Sequence, residues 1–349
     1  MSSYAITLQP SGRTFTAQPD ETVLAAALRE NFALPYGCRN GACGSCKGKI
    51  IQGSVSYGSH DEATLTQSEK AVGMALFCCA HPLTDLVIEC REISAIKDIK
   101  IRTLPCRVQK LERLAPDVMA VSLKLPANER LQFLAGQYID VLLKDGKRRS
   151  FSLANAPHDD ALLQLHIRNY AGGAFAEHVF ERMKEKDMLR FEGPLGTFFL
   201  REDAQYANKP IIFVAGGTGF APVKSIIEHA FHANSRRQMI LYWGAHRRAG
   251  LYLNALVEDW QAQHDNFTYV PVLSDAPPGD AWQGRTGLVH QAVLADFAGS
   301  DALAAYQVYA CGAPPMVEAA HQDFTRLRGL PETEFFSDAF VPSVPPAAT

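Results

Sequence analysis

The chain has 349 residues, enough for two or three domains of ordinary size, and 47% of them are hydrophobic, so separate cores can form. Charged residues make up 20% and the formal net charge is −3, which excludes the strongly basic balance of a nucleic-acid binder. No apolar run approaches the roughly 20 residues needed to span a bilayer, the opening MSSYAITLQPSGRTF alternates like a strand instead of reading as a signal sequence, and numerous free thiols suit a reducing compartment. A cytoplasmic protein is expected, with no nucleic-acid partner and no membrane insertion.

Residues 1–95 predict a small first domain. Residues 4–18 read as two strands around a Pro-Ser-Gly turn. Residues 22–32 read as a short amphipathic helix, with Val23, Leu24, Ala27 and Leu28 on one face and Asp20 as its cap. The run CRNGACGSC then puts Cys38, Cys43 and Cys46 on one loop, and LFCCAHPLTDL supplies a fourth thiol from a distant segment. Residues 49–58 and 86–93 read as further strands. Such a set can hold a 2Fe–2S cluster. Gly37, Gly41, Gly44 and Gly48 interleave with the thiols and let the backbone approach them, and Arg39, Lys47 and Lys49 add positive charge. Zinc is the competing reading of the C-x2-C half-site, but a second C-x2-C is missing. The adjacent Cys78 and Cys79 are awkward for a disulfide framework.

The spacing C-x4-C-x2-C…C resembles that of plant-type ferredoxins. The resemblance implies a β-grasp fold and metal ligation by Cys38, Cys43, Cys46 and Cys78, with Cys78 preferred over Cys79. Cys90 and Cys106 read as small buried hydrophobes.

Residues 96–103 read as a linker. From 104 to 203 the β-rich runs 106–115, 118–126, 138–146, 148–156 and 162–170 are separated by turns, with one helix at 174–184. A closed antiparallel barrel is the economical architecture. From 208 to 341 strands alternate with helices, which argues for a parallel sheet covered on both faces. The tail 342–349 is proline-rich and expected to be extended. The fold class is therefore multidomain, α+β followed by α/β.

Three motifs lie in these later segments. RRSFSL, Arg148 to Leu153, resembles the Arg-x-Tyr/Phe-Ser flavin motif of the ferredoxin–NADP reductase superfamily. Arg149 can pair with flavin phosphate, Phe151 offers an aromatic face, and the Ser152 hydroxyl can meet the ring nitrogen that receives hydride. Gly172, Gly173 and Ala174 resemble the family's glycine-led turn into a helix, whose amides hold the pyrophosphate; Ala176 stands where the family usually has Ser or Thr. AGGTGFAP resembles the dinucleotide turn of the same superfamily, which assigns Gly216, Gly217, Thr218 and Gly219 to the nucleotide, with Thr218 towards nicotinamide.

CGAPPMV resembles a second such turn, which would set Cys311 and Gly312 beside the first turn at the strand ends, with Cys311 by the nicotinamide. Trp282 to Val289 also resembles this superfamily, and Arg285 reads as structural there. In FFSDAF, Asp338 and Phe340 match a terminal pattern in which the aromatic covers the flavin and moves aside for hydride transfer.

Over nearly its whole length the chain is similar to iron–sulfur flavoprotein reductases with a ferredoxin unit ahead of flavin and nicotinamide domains. The resemblance implies an NAD(P)H-dependent oxidoreductase with a 2Fe–2S cluster, FAD and NADH (NADPH being possible). It also implies an electron-accepting partner protein, either a dehydrase or an oxygenase component. Within the group, AGQYIDVLL, EGPLGTFFLRED and FFSDAFVPS most resemble the reductases of sugar dehydrases; reductases of ring-hydroxylating dioxygenases or multicomponent monooxygenases are the alternative, and a non-catalytic redox sensor a third. His246, Arg247 and Arg248 could take a 2′-phosphate, although the resemblance implies NADH. The surface around Arg39, Asn40 and Ala42 is the expected acceptor face.

Overall fold

A computed structural model describes residues 3–93, 95, 99–170, 172–277 and 281–341. Part of the expected linker, residues 96–98, and the tail 342–349 lie outside the described residues. The chain divides into two units, Met1–Lys100 and Ile101–Thr349.

The first unit opens with the hairpin β1 (Tyr4–Gln9) and β2 (Thr14–Ala17), whose turn places Gly12 at a φ of 70°. Helix α1 (Val23–Arg29) buries Val23, Leu24, Ala26 and Ala27. Its cap is Thr22 instead of the expected Asp20: Thr22 is the last extended residue, and its hydroxyl accepts from the Ala25 N–H at 3.1 Å. There follow β3 (Lys47–Gln52), β4 (Val55–Ser56), α2 (Gln67–Ala71), β5 (Met74–Leu76), β6 (His81–Pro82) and β7 (Leu86–Glu89). The five-stranded sheet has the order β2-β1-β7-β3-β5, with β1 and β7 parallel, a mixed β-grasp arrangement. The unexpected α2 is nucleated by a capping box, Thr66 with Glu69.

The second unit begins with β8 (Arg102–Ala115), β9 (Val118–Lys124), β10 (Tyr138–Leu142), β11 (Arg148–Ser152), β12 (Leu163–Arg168), α3 (Ala174–Glu181) and β13 (Met188–Leu195). The strands pair antiparallel in the order β11-β10-β13-β8-β9-β12. A bridge between Leu153 and Leu165 joins the two outer strands and closes the barrel. Inside lie Val108, Val121, Ile139, Leu163 and Phe191, all at most 1% exposed.

The remaining elements are β14 (Ile211–Gly216), α4 (Phe220–His232), β15 (Met239–Ala245), α5 (Asn254–Gln263), β16 (Phe267–Leu273), β17 (Arg285–Thr286), α6 (Val289–Asp296), β18 (Gln307–Gly312), α7 (Pro314–Arg328) and β19 (Phe335–Ala339). All six strands are parallel, in the order β17-β16-β15-β14-β18-β19. Ile211, Phe213 and Ala215 pack with α4 and α5, while Ile212 and Val214 pack with α6 and α7. Burial on both faces explains why β14 reads as an unbroken apolar run. The winding direction reverses between β14 and β18, and ligands of such sheets bind at the strand ends there.

Candidate functional site

Cys38, Cys43 and Cys46 lie between α1 and β3, and Cys78 and Cys79 between β5 and β6. The sulfurs associate as Cys38 with Cys43 and Cys46 with Cys78, and Cys79 Sγ also lies 3.5 Å from Cys78 Sγ. The Cys38 N–H also donates to Cys43 Sγ at 3.3 Å. Within each pair one thiol hydrogen-bonds to the other sulfur. This pulls Cys38 down to about 6 and Cys78 down to about 3, the latter also through the Cys79 thiol. Cys43 and Cys46 are pushed up by the same bonds and then by burial.

Among the described residues no three Cys, His, Asp or Glu side chains converge on a single metal-ion position. Two sulfur pairs suit a dinuclear cluster, which takes four thiolates over two irons, better than they suit one zinc. Glycine keeps the loop open: a Cβ on Gly37 would stand 3.2 Å from Cys43 Sγ, and one on Gly41 2.8 Å from Cys79 Sγ. The charge expected of Lys47 is engaged elsewhere, since its amine pairs with Glu69 at 2.7 Å. Cys106 is buried as expected, whereas Cys90 is only half-buried.

In the barrel, Arg149, Phe151 and Ser152 lie on β11, paired with Val141, Ile139 and Tyr138 of β10. The Phe151 ring sits 5.5 Å from Phe175 in the first turn of α3, so the two flavin elements meet. Gly172 has a φ of 79° with open space where its Cβ would stand, and Gly173 starts α3 without a side-chain cap. First-turn amides of an uncapped helix suit a diphosphate. Among the described residues, Arg149 Nη1 donates to its neighbour's carbonyl, Arg148 O. Ser152 Oγ is buried and has no hydrogen-bond partner among the described residues, which is costly unless a bound group supplies one. These residues fit a flavin.

The glycine turn follows β14. Gly217–Gly219 form a single 3₁₀ turn leading directly into α4. A Cβ on Gly219 would stand 2.1 Å from the Cys311 carbonyl oxygen, and one on Gly312 would stand 3.1 Å from Gly216 Cα. The two turns therefore touch backbone to backbone at the reversal of the sheet. Thr218 and Cys311 are buried there, and burial followed by the nearby Asp338 pushes the Cys311 thiol well up, so it stays protonated. Asp338 lies opposite Cys311 in the β18–β19 register, and the Phe340 N–H donates to Gly312 O at 2.8 Å. Phe340 thus adjoins the nucleotide turns.

Arg168 is a residue the sequence reading left out. It lies on β12 of the barrel, and its Nη1 would be 2.8 Å from a Cβ on Gly217. Its Nη2 is buried with no hydrogen-bond partner among the described residues. An unsatisfied guanidinium nitrogen beside a glycine turn suits an anionic ligand. Asp117 neighbours its Nε at 3.3 Å. Arg285 is structural as expected, paired with Asp296.

A thiol set for a dinuclear cluster, a barrel with a flavin motif and a parallel sheet with a dinucleotide crevice define an iron–sulfur flavoprotein oxidoreductase. Residues 6–83 match the 2Fe-2S iron-sulfur cluster binding domain family, residues 105–200 the oxidoreductase FAD-binding domain family, and residues 213–322 the oxidoreductase NAD-binding domain family. The CDP-6-deoxy-L-threo-D-glycero-4-hexulose-3-dehydrase reductase of Yersinia pestis is 43% identical over 343 residues, 98% of this chain and 99% of that protein. The reductase component DmpP of phenol 2-monooxygenase from a Pseudomonas species is 36% identical, over 97% of this chain and 94% of its own length. The crystal structure of the Amycolatopsis reductase GcoB superposes with a TM-score of 0.79 at 32% identity, covering 98% of this chain and all of that one (100%).

The chain belongs to the NAD(P)H-dependent iron–sulfur flavoprotein reductases, built from a 2Fe–2S ferredoxin domain, an FAD-binding domain and an NAD-binding domain. Among the described residues, no helix is long and apolar enough to cross a membrane.

Proposed function

We propose that this reductase takes electrons from NADH and delivers them singly to a partner enzyme, a CDP-4-keto-6-deoxyglucose-3-dehydrase. One observation carries the reading: 43% identity, end to end, with a reductase named for such a dehydrase. The domain limits we assign are 1–95 for the cluster, 96–103 for a linker, 104–203 for FAD, 208–341 for NAD and 342–349 for a tail.

When bound, FAD accepts two electrons as hydride and yields them one at a time to the cluster. The protein's own residues set the order. Cys38, Cys43, Cys46 and Cys78 would ligate the irons of the cluster, Cys38 lying beside Cys43 and Cys46 beside Cys78. Arg149 and the first-turn amides at Gly172, Gly173 and Ala174 hold the flavin diphosphate. Phe151 covers the flavin ring, and the unpartnered Ser152 hydroxyl orients it by a hydrogen bond. Gly216, Gly217 and Gly219 bring amides to the dinucleotide, with Arg168 on its phosphates. Thr218 and the protonated Cys311 line the nicotinamide position beside Gly312. Phe340, tethered to Gly312, would cover the flavin face and give way to the nicotinamide. NADH is favoured by the likeness to the dehydrase reductase, and Arg247 is paired with Asp275 through two contacts of 3.1 Å to one carboxylate oxygen.

The second reading, an oxygenase reductase, rests on the 36% identity to a phenol 2-monooxygenase component. The test is NADH consumption by the holoenzyme with a sugar dehydrase and its substrate, compared with oxygenase components. Coupled turnover with the dehydrase alone is expected. Turnover with an oxygenase and none with the dehydrase overturns the partner; reduction of neither the partner nor an artificial acceptor restores the redox-sensor reading.

A further inference from the structure

Behind the glycine turn, a line of buried aromatic and polar side chains connects the barrel to the parallel sheet. On the barrel side, His166 of β12 is 6% exposed. Its Nε2 lies 3.3 Å from Gln164 Oε1 and its Nδ1 3.0 Å from the Tyr252 hydroxyl. Gln164 Oε1 can only accept, so Nε2 carries the hydrogen and Nδ1 accepts from Tyr252. Burial pushes His166 down to about 3, with Lys224 adding repulsion, so the ring is neutral wherever the enzyme works. Burial pushes the Tyr252 phenol up, which keeps its proton in place.

On the sheet side, the Tyr252 ring meets Trp243 edge-on, with centroids 5.2 Å apart and planes at 89°. Trp243, fully buried at the end of β15, stacks on Phe220, the first residue of α4, at 3.9 Å and 17°. Its indole Nε1–H donates to the Gly217 carbonyl at 3.0 Å, a second donor beside the Phe220 N–H that closes the 3₁₀ turn on the same oxygen. Gly217 sits at a φ of 54°, the left-handed region that glycine adopts without cost.

In a trans peptide the carbonyl and the following N–H point in opposite directions. Holding the Gly217 carbonyl into the aromatic core therefore turns the Thr218 N–H of the same peptide away from it. The turn then presents a donor, and not a carbonyl oxygen, on its outer side. An anionic dinucleotide needs that choice, because a phosphate is repelled by a carbonyl oxygen and held by an N–H.

We propose that Trp243, aligned by the Tyr252–His166 pair, is the positioning residue of the dinucleotide turn, fixing the Gly217–Thr218 peptide with its N–H towards the nucleotide. The proposal rests on the reading that Gly216–Gly219 meets the dinucleotide. It makes barrel strand β12 a support of the turn on two routes, through Arg168 directly and through His166, Tyr252 and Trp243 from behind.

The experiment is steady-state and single-turnover kinetics of NADH oxidation by holoenzyme carrying Trp243→Phe, Tyr252→Phe, His166→Gln or His166→Leu. Trp243→Phe keeps the stacked ring but loses the donor. The KM for NADH is expected to rise about tenfold, the scale of losing one of the two hydrogen bonds that fix the Gly217 carbonyl, with kcat within about twofold and flavin content unchanged. Tyr252→Phe and His166→Leu are expected to raise KM by about threefold each and, combined, by no more than either alone, because they break one bond. His166→Gln keeps an acceptor and is expected to restore the native KM.

An unchanged KM in Trp243→Phe overturns the proposal, as does a fall in kcat that tracks lost flavin. If that variant does not fold, Tyr252→Phe and the His166 pair decide by the same criteria. Gly219→Ala separates the premise from the proposal. If its Cβ, driven against Cys311 O, leaves NADH binding intact, the turn is not the nucleotide site. If it destroys binding while Trp243→Phe does not, only the positioning role falls.

Discussion

On the proposed reading two glycine-rich loops serve two cofactors, and they use glycine for different reasons. In the thiol loop, glycine makes room mainly for side chains: the atoms nearest a Cβ on Gly37 are Cys43 Sγ and Ser45 Oγ, both at 3.2 Å, and on Gly41 they are Cys79 Sγ and His60 Cβ at 2.8 Å, with His60 Cα at 2.9 Å. In the nucleotide turn, glycine makes room for backbone: Gly219 faces the Cys311 carbonyl at 2.1 Å, and Gly312 faces Gly216 Cα at 3.1 Å. On that reading the first site would hold its ligand through side chains and the second through main-chain amides. A side chain can swing aside when crowded, whereas two main chains pressed together cannot. The thiol loop should therefore fail through loss of particular atoms, and the nucleotide turn through loss of space.

The sharpest break is Cys43→Ser. Removing one sulfur of a pair should abolish the cluster's visible absorbance and reduction of one-electron acceptors, while NADH still bleaches the flavin in stopped flow. Retention of the native cluster spectrum would remove Cys43 from the ligand set.

Gly219→Ala comes next and is best read beside Gly44→Ala. A Cβ on Gly44 meets only Thr64 Cγ2, at an ordinary 3.5 Å, so its cost is backbone strain at a φ of 76°, about 1–2 kcal/mol. Gly219→Ala should raise the KM for NADH by more than about tenfold, since backbone would have to move by more than a hydrogen bond tolerates. Gly44→Ala should leave that KM unaltered and lower the melting temperature slightly. Equal effects on NADH use would erase the distinction between the loops.

Ser152→Ala is the smaller functional change. Its hydroxyl has no partner within the protein, so its loss should stabilise the flavin-free protein or leave it unaltered. With FAD bound, hydride transfer should slow about tenfold, the worth of one hydrogen bond favouring the reacting geometry. Rapid-mixing reduction of the flavin by NADH reads this directly, and an unaffected rate would strip Ser152 of its role.

The contrast between side-chain and main-chain sites also explains what could be read from the chain beforehand. Four thiols announce themselves by spacing, because only those residue types do that chemistry. The glycine turn was legible through its likeness to a known motif, but its supports were not. Arg168 and Trp243 reach Gly217 from β12 and β15, and nothing local to either strand says so. Strand β19 was missed for a related reason: FFSDA is a strand because it pairs with β18, a contact made across α7. Helix α2 was missed although its signal was present in the Thr66 and Glu69 spacing. The shift of the first cap from Asp20 to Thr22 turned on where the chain stops being extended, which two neighbouring cap-forming residues leave undecided.

The gentlest test concerns acid. His166 is held neutral by burial, its folded pKa lying at about 3 against an ordinary 6.5. His158 is lowered in the same direction, by burial first and then by His232 stacked on it at 3.8 Å. A lowered imidazole means that the unfolded chain binds a proton that the folded one refuses. Stability is therefore complete above the unfolded pKa and drains away as pH falls from 6.5 towards 3. For one such group the slope is about 1.4 kcal/mol per pH unit within that window and zero above it. His166→Gln removes the titration while keeping the hydrogen bond. Melting curves of holoenzyme and variant should run parallel at neutral pH and converge on acidification, the wild type falling more steeply. The cluster thiols titrate identically in both proteins and cancel in the difference. Curves that stay parallel down to acid would mean that water reaches the ring, and the buried link between barrel and nucleotide turn would then be looser than these contacts imply.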